Sequence, residues 1–507
     1  MTGPLTLHNG MAVPRERVPS LDLDSFRSHV IDAPRTGRRV VALFGGPVTA
    51  GRGVDLFVVL AVDEEGSLEV ARTTIEGDAF PSMTPECTQV QLFEREIAEQ
   101  WGVVPVGHPW FKPVRFHRSM RPGHDAWKRS DGEGPTVGVT DFYRVEGEEV
   151  HEVAVGPVHA GVIEPGHFRF QCHGEHVFHL EISLGYQYRG VERAVVAGPD
   201  KRTIHYMETL AGDTTIGHAL AYCQAAESLA EGRASPRAHA LRAIALELER
   251  LANHIGDLGA LAGDIGFLPT ASYCGRLRGD FLNLTALLCG SRFGRGLVRP
   301  GGVGFDVDPP RISLMLERLD AAYRDVEQAV KLLWDTPSVM ARFEDTGRVR
   351  PDLARELGLV GPAGRASGLR RDVRKSHPAG IFQFVHIPIS TWESGDVFAR
   401  AFVRWLEIER SVEFVRTQLR ELPKGPARVE CPPLGPSRFC VSLVEGWRGE
   451  ICHVAMTDDA GRFSRYKVVD PSFHNWTGLA MALRDQQISD FPLCNKSFNL
   501  SYCGHDL

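Results

Sequence analysis

The stretch Gly156-Pro-Val-His-Ala-Gly-Val-Ile-Glu-Pro-Gly-His-Phe-Arg-Phe170 sets two Gly/Pro pairs around one acid and two histidines, His159 and His167. Proline fixes φ, glycine permits close backbone approach, and imidazoles donate or relay protons near neutral pH. This composition therefore fits a rigid loop aimed into a site. The bland alternative is a structural turn whose histidines are merely hydrogen-bonded. Cys172-His-Gly-Glu-His176 with His179 offers metal-ligand residue types. A strand there turns His176 away from His173 and His179, however, and Gly174-Glu175 reads as a hairpin turn. The ten cysteines include no C-x-x-C pair and read as free, mostly buried thiols of a reducing compartment. That arithmetic excludes an iron–sulfur cluster held by this chain alone. No G-x-G-x-x-G follows a strand and no G-x-x-x-x-G-K-S/T occurs, so neither a dinucleotide nor an NTP site is expected.

The elements that must position these residues form an α+β fold: a small N-terminal α/β-sheet module joined to a mainly helical bundle with β-extensions. Residues 21–118 alternate short apolar runs (40–44, 57–62, 68–74) with turns, followed by a helix over 88–101. Residues 119–141 are polar, charged and glycine-rich, as in a linker. A third region, 142–507, starts with strands at 149–155, 167–172 and 176–182 and turns helical beyond 203. Ser235-Pro236 signals a helix start, and Leu241, Ile244, Leu248, Leu251 and Ile255 then form a core-facing stripe. Residues 311–334 and 396–422 read as two more long helices, as in a bundle.

With 507 residues, a net charge of −7 and 43% hydrophobic residues, the chain is expected to be globular with two or three domains and no nucleic-acid footprint. No apolar run approaches the roughly 20 residues that span a bilayer, and the first 20 carry no hydrophobic signal region. Membrane contact is expected only through partners, on the cytoplasmic side.

The 156–170 loop closely resembles that of group 4 energy-converting nickel–iron hydrogenase and formate-hydrogenlyase large subunits. It resembles, less closely, the quinone-site subunit of respiratory complex I. The likeness continues through Tyr188-Arg-Gly-Val-Glu192, Ala221-Tyr222 with Glu227, Glu247-Leu-Glu-Arg-Leu-Ala-Asn-His254 and Asp264-Ile-Gly266. It extends to Arg299-Pro-Gly-Gly-Val303, Gly364-Arg-Ala-Ser-Gly368 with Asp372 and Arg374, and Glu445-Gly-Trp-Arg-Gly-Glu450. Pro81-Ser-Met83, Phe93-Glu-Arg-Glu96 and Gly107-His-Pro109 resemble the small partner subunit of complex I, here fused upstream.

The resemblance implies four thiolate ligands for nickel and iron, since hydroxyl and amide oxygens bind these ions too weakly. Matched on His218 and Glu227, the first pair falls on Ala211 and Thr214. The second falls on Ser501 and Gly504, with Cys503 one place off. No thiol stands at any of the four, so nickel is not expected in this chain. Complex I, which uses the same cavity for a quinone, carries a tyrosine where Gly212 stands here. The resemblance places His159, His167, Asp213, His218 and Asp264 around the remodelled cavity as proton-path residues, with Asp213 equally suited to capping a helix. Glu227 is either part of that path or an ion-pair partner, and Arg365, Asp372 and Arg374 are expected to form a buried ion-pair network. The implied function is that of a core peripheral subunit of a membrane-bound, hydrogenase-related, complex-I-like oxidoreductase lacking the metal site, which couples redox or protonation events to ion transport. Quinone reduction and a non-catalytic scaffold remain the alternatives, so enzymatic activity is left open. The implied partners are an iron–sulfur small subunit and antiporter-like membrane subunits.

Overall fold

The computed structural model describes residues 3–48, 53–129 and 134–507. Two short strands near the N-terminus, β1 (Leu5–Leu7) and β2 (Ala12–Pro14), enter different sheets. The first joins β3 (Arg39–Pro47), β4 (Val54–Val62) and β5 (Ser67–Ile75) in the antiparallel order β1-β5-β4-β3. A second, three-stranded sheet is built from β6 (Val150–Val155), β7 (His167–His173) and β8 (His176–Ser183), in the order β8-β7-β6. The other N-terminal strand, β2, forms the edge of a sheet whose remaining strands lie more than 400 residues downstream: β9 (Arg438–Gly446), β10 (Gly449–Thr457) and β11 (Phe463–Val469).

The N-terminal and C-terminal sheets share one apolar core. Phe57 of β4 stacks between Phe44 (5.4 Å) and Phe439 of β9 (6.3 Å). Val441, Leu443, Val454 and Phe473 belong to the same cluster as the N-terminal strands. Residues before 21, for which the sequence suggested no structure, thus stitch the two ends of the chain together. Of the 119–141 stretch, residues 130–133 lie outside the described residues, and the rest contains neither helix nor strand.

Seven helices frame the site. They are α1 (Gln91–Trp101), α2 (Thr215–Leu229), α3 (Pro236–Asp264), α4 (Leu268–Cys289), α5 (Pro309–Trp334), α6 (Val397–Arg420) and α7 (Pro471–Ala482). Capping begins α3 as its sequence implies, with Ser235 Oγ accepting from the Ala238 N–H and Pro236 in the first turn. Asp308 and Asp396 cap α5 and α6 in the same way. The long helix α3 packs along α4 and α6 and is buried nearly all round, including Glu247, Arg250, His254 and Asp257. Charged groups this deep must be paired, and they are. Arg365 holds Glu407 (2.6 Å) and Glu445 (2.7 Å), while Arg374 bridges Asp372 (2.6 Å) and Glu247 (3.1 Å). His254 donates to Glu407 at 2.8 Å. Among the described residues no helix is long and apolar enough to cross a membrane.

Candidate functional site

The two segments that the resemblance pairs, 209–218 and 499–506, meet in space. Arg189 donates to the carbonyls of Thr209 (2.6 Å) and Leu210 (2.9 Å) on one side and of Cys503 (3.0 Å) on the other. Arg448, in the turn between β9 and β10, grips both carboxylate oxygens of Asp213 at 2.6 and 2.8 Å and the Asn499 carbonyl at 2.5 Å. Its guanidinium lies 3.9 Å from the Trp447 ring centroid, and the Trp447 N–H donates to the Asp213 carbonyl and to Thr214 Oγ1. Ser501 Oγ lies 3.5 Å from the Cys503 thiol. Positions 211, 214, 501 and 504 therefore surround one locus, now occupied by an arginine, carboxylates and a hydroxyl.

From this locus a buried chain of hydrogen bonds runs inward. Asp470 caps α7, and its Oδ2 accepts from His218 Nε2 at 3.0 Å. His218 Nδ1 lies 3.1 Å from His453 Nε2, and His453 Nδ1 lies 2.8 Å from the Tyr466 hydroxyl. All four side chains are essentially inaccessible to solvent. Only one proton arrangement satisfies every link with both rings neutral: Tyr466 donates to His453, His453 to His218, and His218 to the Asp470 carboxylate. Burial would raise the Asp470 carboxyl, but His218 and the nearby Arg448 outweigh it and hold it below the usual carboxylate range. Burial, reinforced by His218, pushes His453 well down, which keeps it neutral. The chain abuts the 504 position closely: a Cβ there would lie 2.7 Å from the Asp470 carboxyl.

Of the expected site residues, the structure brings Asp213 and His218 into this cluster. Asp213 does not cap α2. Instead Glu249 of α3 accepts from the N–H groups of Ile216 (2.7 Å) and Gly217 (3.1 Å), and burial lifts its carboxyl to about 8. His159 and His167 lie in the flanking loop and tie it to itself. His159 Nε2 pairs with the Gly166 carbonyl (2.8 Å) and His167 Nδ1 with that of Gly156 (3.4 Å). The side chain that the loop extends toward the site is Glu164, which accepts from the Tyr502 N–H at 3.2 Å and sets its negative charge near the Cys503 thiol. Burial and this carboxylate push the thiol up to about 11, so it is held as S–H.

Asp264 sits on the exposed end of α3, while His159 and His167 pair with the Gly166 and Gly156 carbonyls, so it does not complete a triad with them. Glu227 is clamped by Arg242 (2.5 and 3.1 Å) and the Gly301 N–H (2.8 Å), an ion pair rather than an open relay group. The residues that sequence reasoning missed are Glu164, Arg189, Arg448, His453, Tyr466 and Asp470. A signal for the strand residues was available: Glu450, His453, Arg465 and Lys467 stand among the largely apolar and almost entirely buried residues of β10 and β11, and buried polar groups require partners. Among the described residues, no group of three or more His, Cys, Asp or Glu side chains is arranged to hold a metal ion.

Residues 264–438 match the family model described as the 49 kDa subunit of respiratory-chain NADH dehydrogenase. Formate hydrogenlyase subunit 5 of Escherichia coli is 29% identical, over 88% of this chain and 81% of that protein. The carbon monoxide-induced hydrogenase of Rhodospirillum rubrum is 30% identical, over 69% of this chain and 97% of its own length. NADH-quinone oxidoreductase subunit 4 of Thermus thermophilus is 29% identical, over 68% of this chain and 90% of that protein. The chain belongs to the family that unites these hydrogenase subunits with the 49 kDa-type subunits of NADH dehydrogenase.

Proposed function

We propose that this chain is a peripheral core subunit of a membrane-bound, hydrogenase-related, complex-I-like oxidoreductase, and that its remodelled locus handles protons rather than a nickel–iron pair. The observation that carries this reading is the hydrogen-bonded series Tyr466–His453–His218–Asp470 ending against Gly504. A proton delivered to the Tyr466 hydroxyl is passed on by successive hops, from Tyr466 to His453 Nδ1, from His453 Nε2 to His218 Nδ1 and from His218 Nε2 to the Asp470 carboxylate. The series thus takes up one proton, leaves Asp470 neutral and both rings in the opposite tautomer, and moves no heavy atom. The residues present do not fit a nickel–iron pair. Only Cys503 supplies sulfur, its thiol is held protonated by burial and by Glu164, and Asp470 fills the space a side chain at 504 would need. Iron–sulfur clusters would reside in a small partner subunit, and antiporter-like membrane subunits would carry the transported ion.

A second reading, reduction of a quinone, is favoured by one feature. A Cβ built at exposed Gly212 meets nothing within 4 Å, which leaves open room beside Arg448 and Cys503 for a head group. In the purified membrane complex, His218→Gln and His453→Gln should slow redox-coupled proton uptake about tenfold or more while assembly is retained. Asp264→Asn should leave uptake unchanged. Undiminished uptake in both histidine variants, or stoichiometric nickel by elemental analysis, contradicts the proposal.

A further inference from the structure

A cavity of about 430 Å³ lies between the N-terminal module and the rest of the chain, lined by none of the four relay side chains. Its walls come from α1, the 109–114 segment, β8 and α7, so neither part of the fold forms it alone. Much of the lining is apolar, including Leu92, Ile182 and Met481. Cationic groups exceed anionic ones there. Lys112 is neutralised by Glu181 at 2.6 Å, but Arg95 and Arg484 form no salt bridge among the described residues. The Arg95 guanidinium donates only to the carbonyls of Lys112 (2.8 Å) and Pro113 (2.9 Å), which orient it without cancelling its charge.

An oriented, half-buried arginine without a counter-charge is unfavourable. An occupant that brings a negative head group and an apolar body answers these features together. We propose that this inter-module cavity binds an amphipathic anion, with a carboxylate or phosphate head directed to Arg95 and Arg484 and an apolar chain or ring against Leu92, Ile182 and Met481. The volume is that of an ordinary small-molecule site. Bound there, the anion bridges the two parts of the fold and rests against His505, one residue from Gly504.

Isothermal titration of the full chain with decanoate, decyl phosphate and decanol tests the assignment. One equivalent of an anionic probe should bind about tenfold or more tightly than decanol, because the alcohol offers the same chain without the charge. A preference for decanoate identifies a carboxylate ligand, and a preference for decyl phosphate a phosphate ligand. Arg95→Gln should remove most of that advantage. Arg484→Gln, at an exposed position that endangers no packing, should weaken anion binding several-fold and leave decanol unaffected. Equal affinity for decanol and the anions, or anion affinity unchanged in both arginine variants, overturns the proposal.

Discussion

Arg448 joins the two halves of the site through Asp213 and Asn499, and replacing it with methionine gives a quantitative test. Arg448→Met keeps much of the aliphatic stem over Trp447 but deletes two charge-assisted bonds to Asp213 (2.6 and 2.8 Å), one bond to the Asn499 carbonyl and the stacked guanidinium. Removing one member of a buried pair costs about 3–5 kcal/mol, because the partner is left charged and unpaired. The Asp213 side chain is 32% exposed, so water recovers part of that penalty. The expected loss is therefore about 3 kcal/mol, at the lower end of the range. Asp213→Asn removes the charge but keeps an acceptor, and should cost about 1 kcal/mol. Because the variants remove the same interaction, the double variant should be less destabilised than their sum by about 1–2 kcal/mol. Urea unfolding of the four proteins, with the slope of the transition checked for constancy, measures this coupling. A coupling within about 0.5 kcal/mol of zero would refute the argument, since it would mean that the two side chains act independently.

Other consequences follow from individual residues. Glu249, with its carboxyl lifted to about 8, keeps its proton in the native state while the unfolded chain releases it near the ordinary value. Stability should therefore decline as pH rises from about 4.5 to 8 and level off above. Glu249→Gln should abolish that slope in melting temperatures taken across the range. Tyr466→Phe deletes the donor that satisfies His453 Nδ1 and leaves a buried nitrogen unpaired, a destabilisation of about 1–3 kcal/mol in denaturant unfolding. Gly504→Ala drives a Cβ to within 2.7 Å of the Asp470 carboxyl and should destabilise by about 1–3 kcal/mol. Gly212→Ala enters open space and should be tolerated in the same assay.

The elements of this fold were legible wherever a local rule sufficed. The apolar runs of β3, β4 and β5, the proline-started, serine-capped α3 and the capped α6 can each be read from a window of a dozen residues. The 156–170 loop was legible as a special segment, but its roles were not. Which of its side chains reaches inward depends on where residues 502 and 503 arrive, more than 300 residues later, and that geometry selects Glu164 over the histidines. The same limit applies to β2. Three residues with no distinctive pattern become a sheet edge because Arg438–Cys440 lie alongside them. Arg448 and Asp470 carried the chemistry least visibly. In sequence each resembles an ordinary turn or cap residue, and only the convergence of 213, 218, 499 and 504 around them gives each a second task.

The direction of the protons along the buried histidine pair decides whether the relay exists. Nitrogen-15 spectra of histidine-labelled protein at neutral pH, assigned with His218→Gln and His453→Gln, report which ring nitrogens carry hydrogen. The predicted result is a proton on Nε2 and a bare, accepting Nδ1 in both rings. A proton on Nδ1 of either ring in the resting protein would contradict the relay.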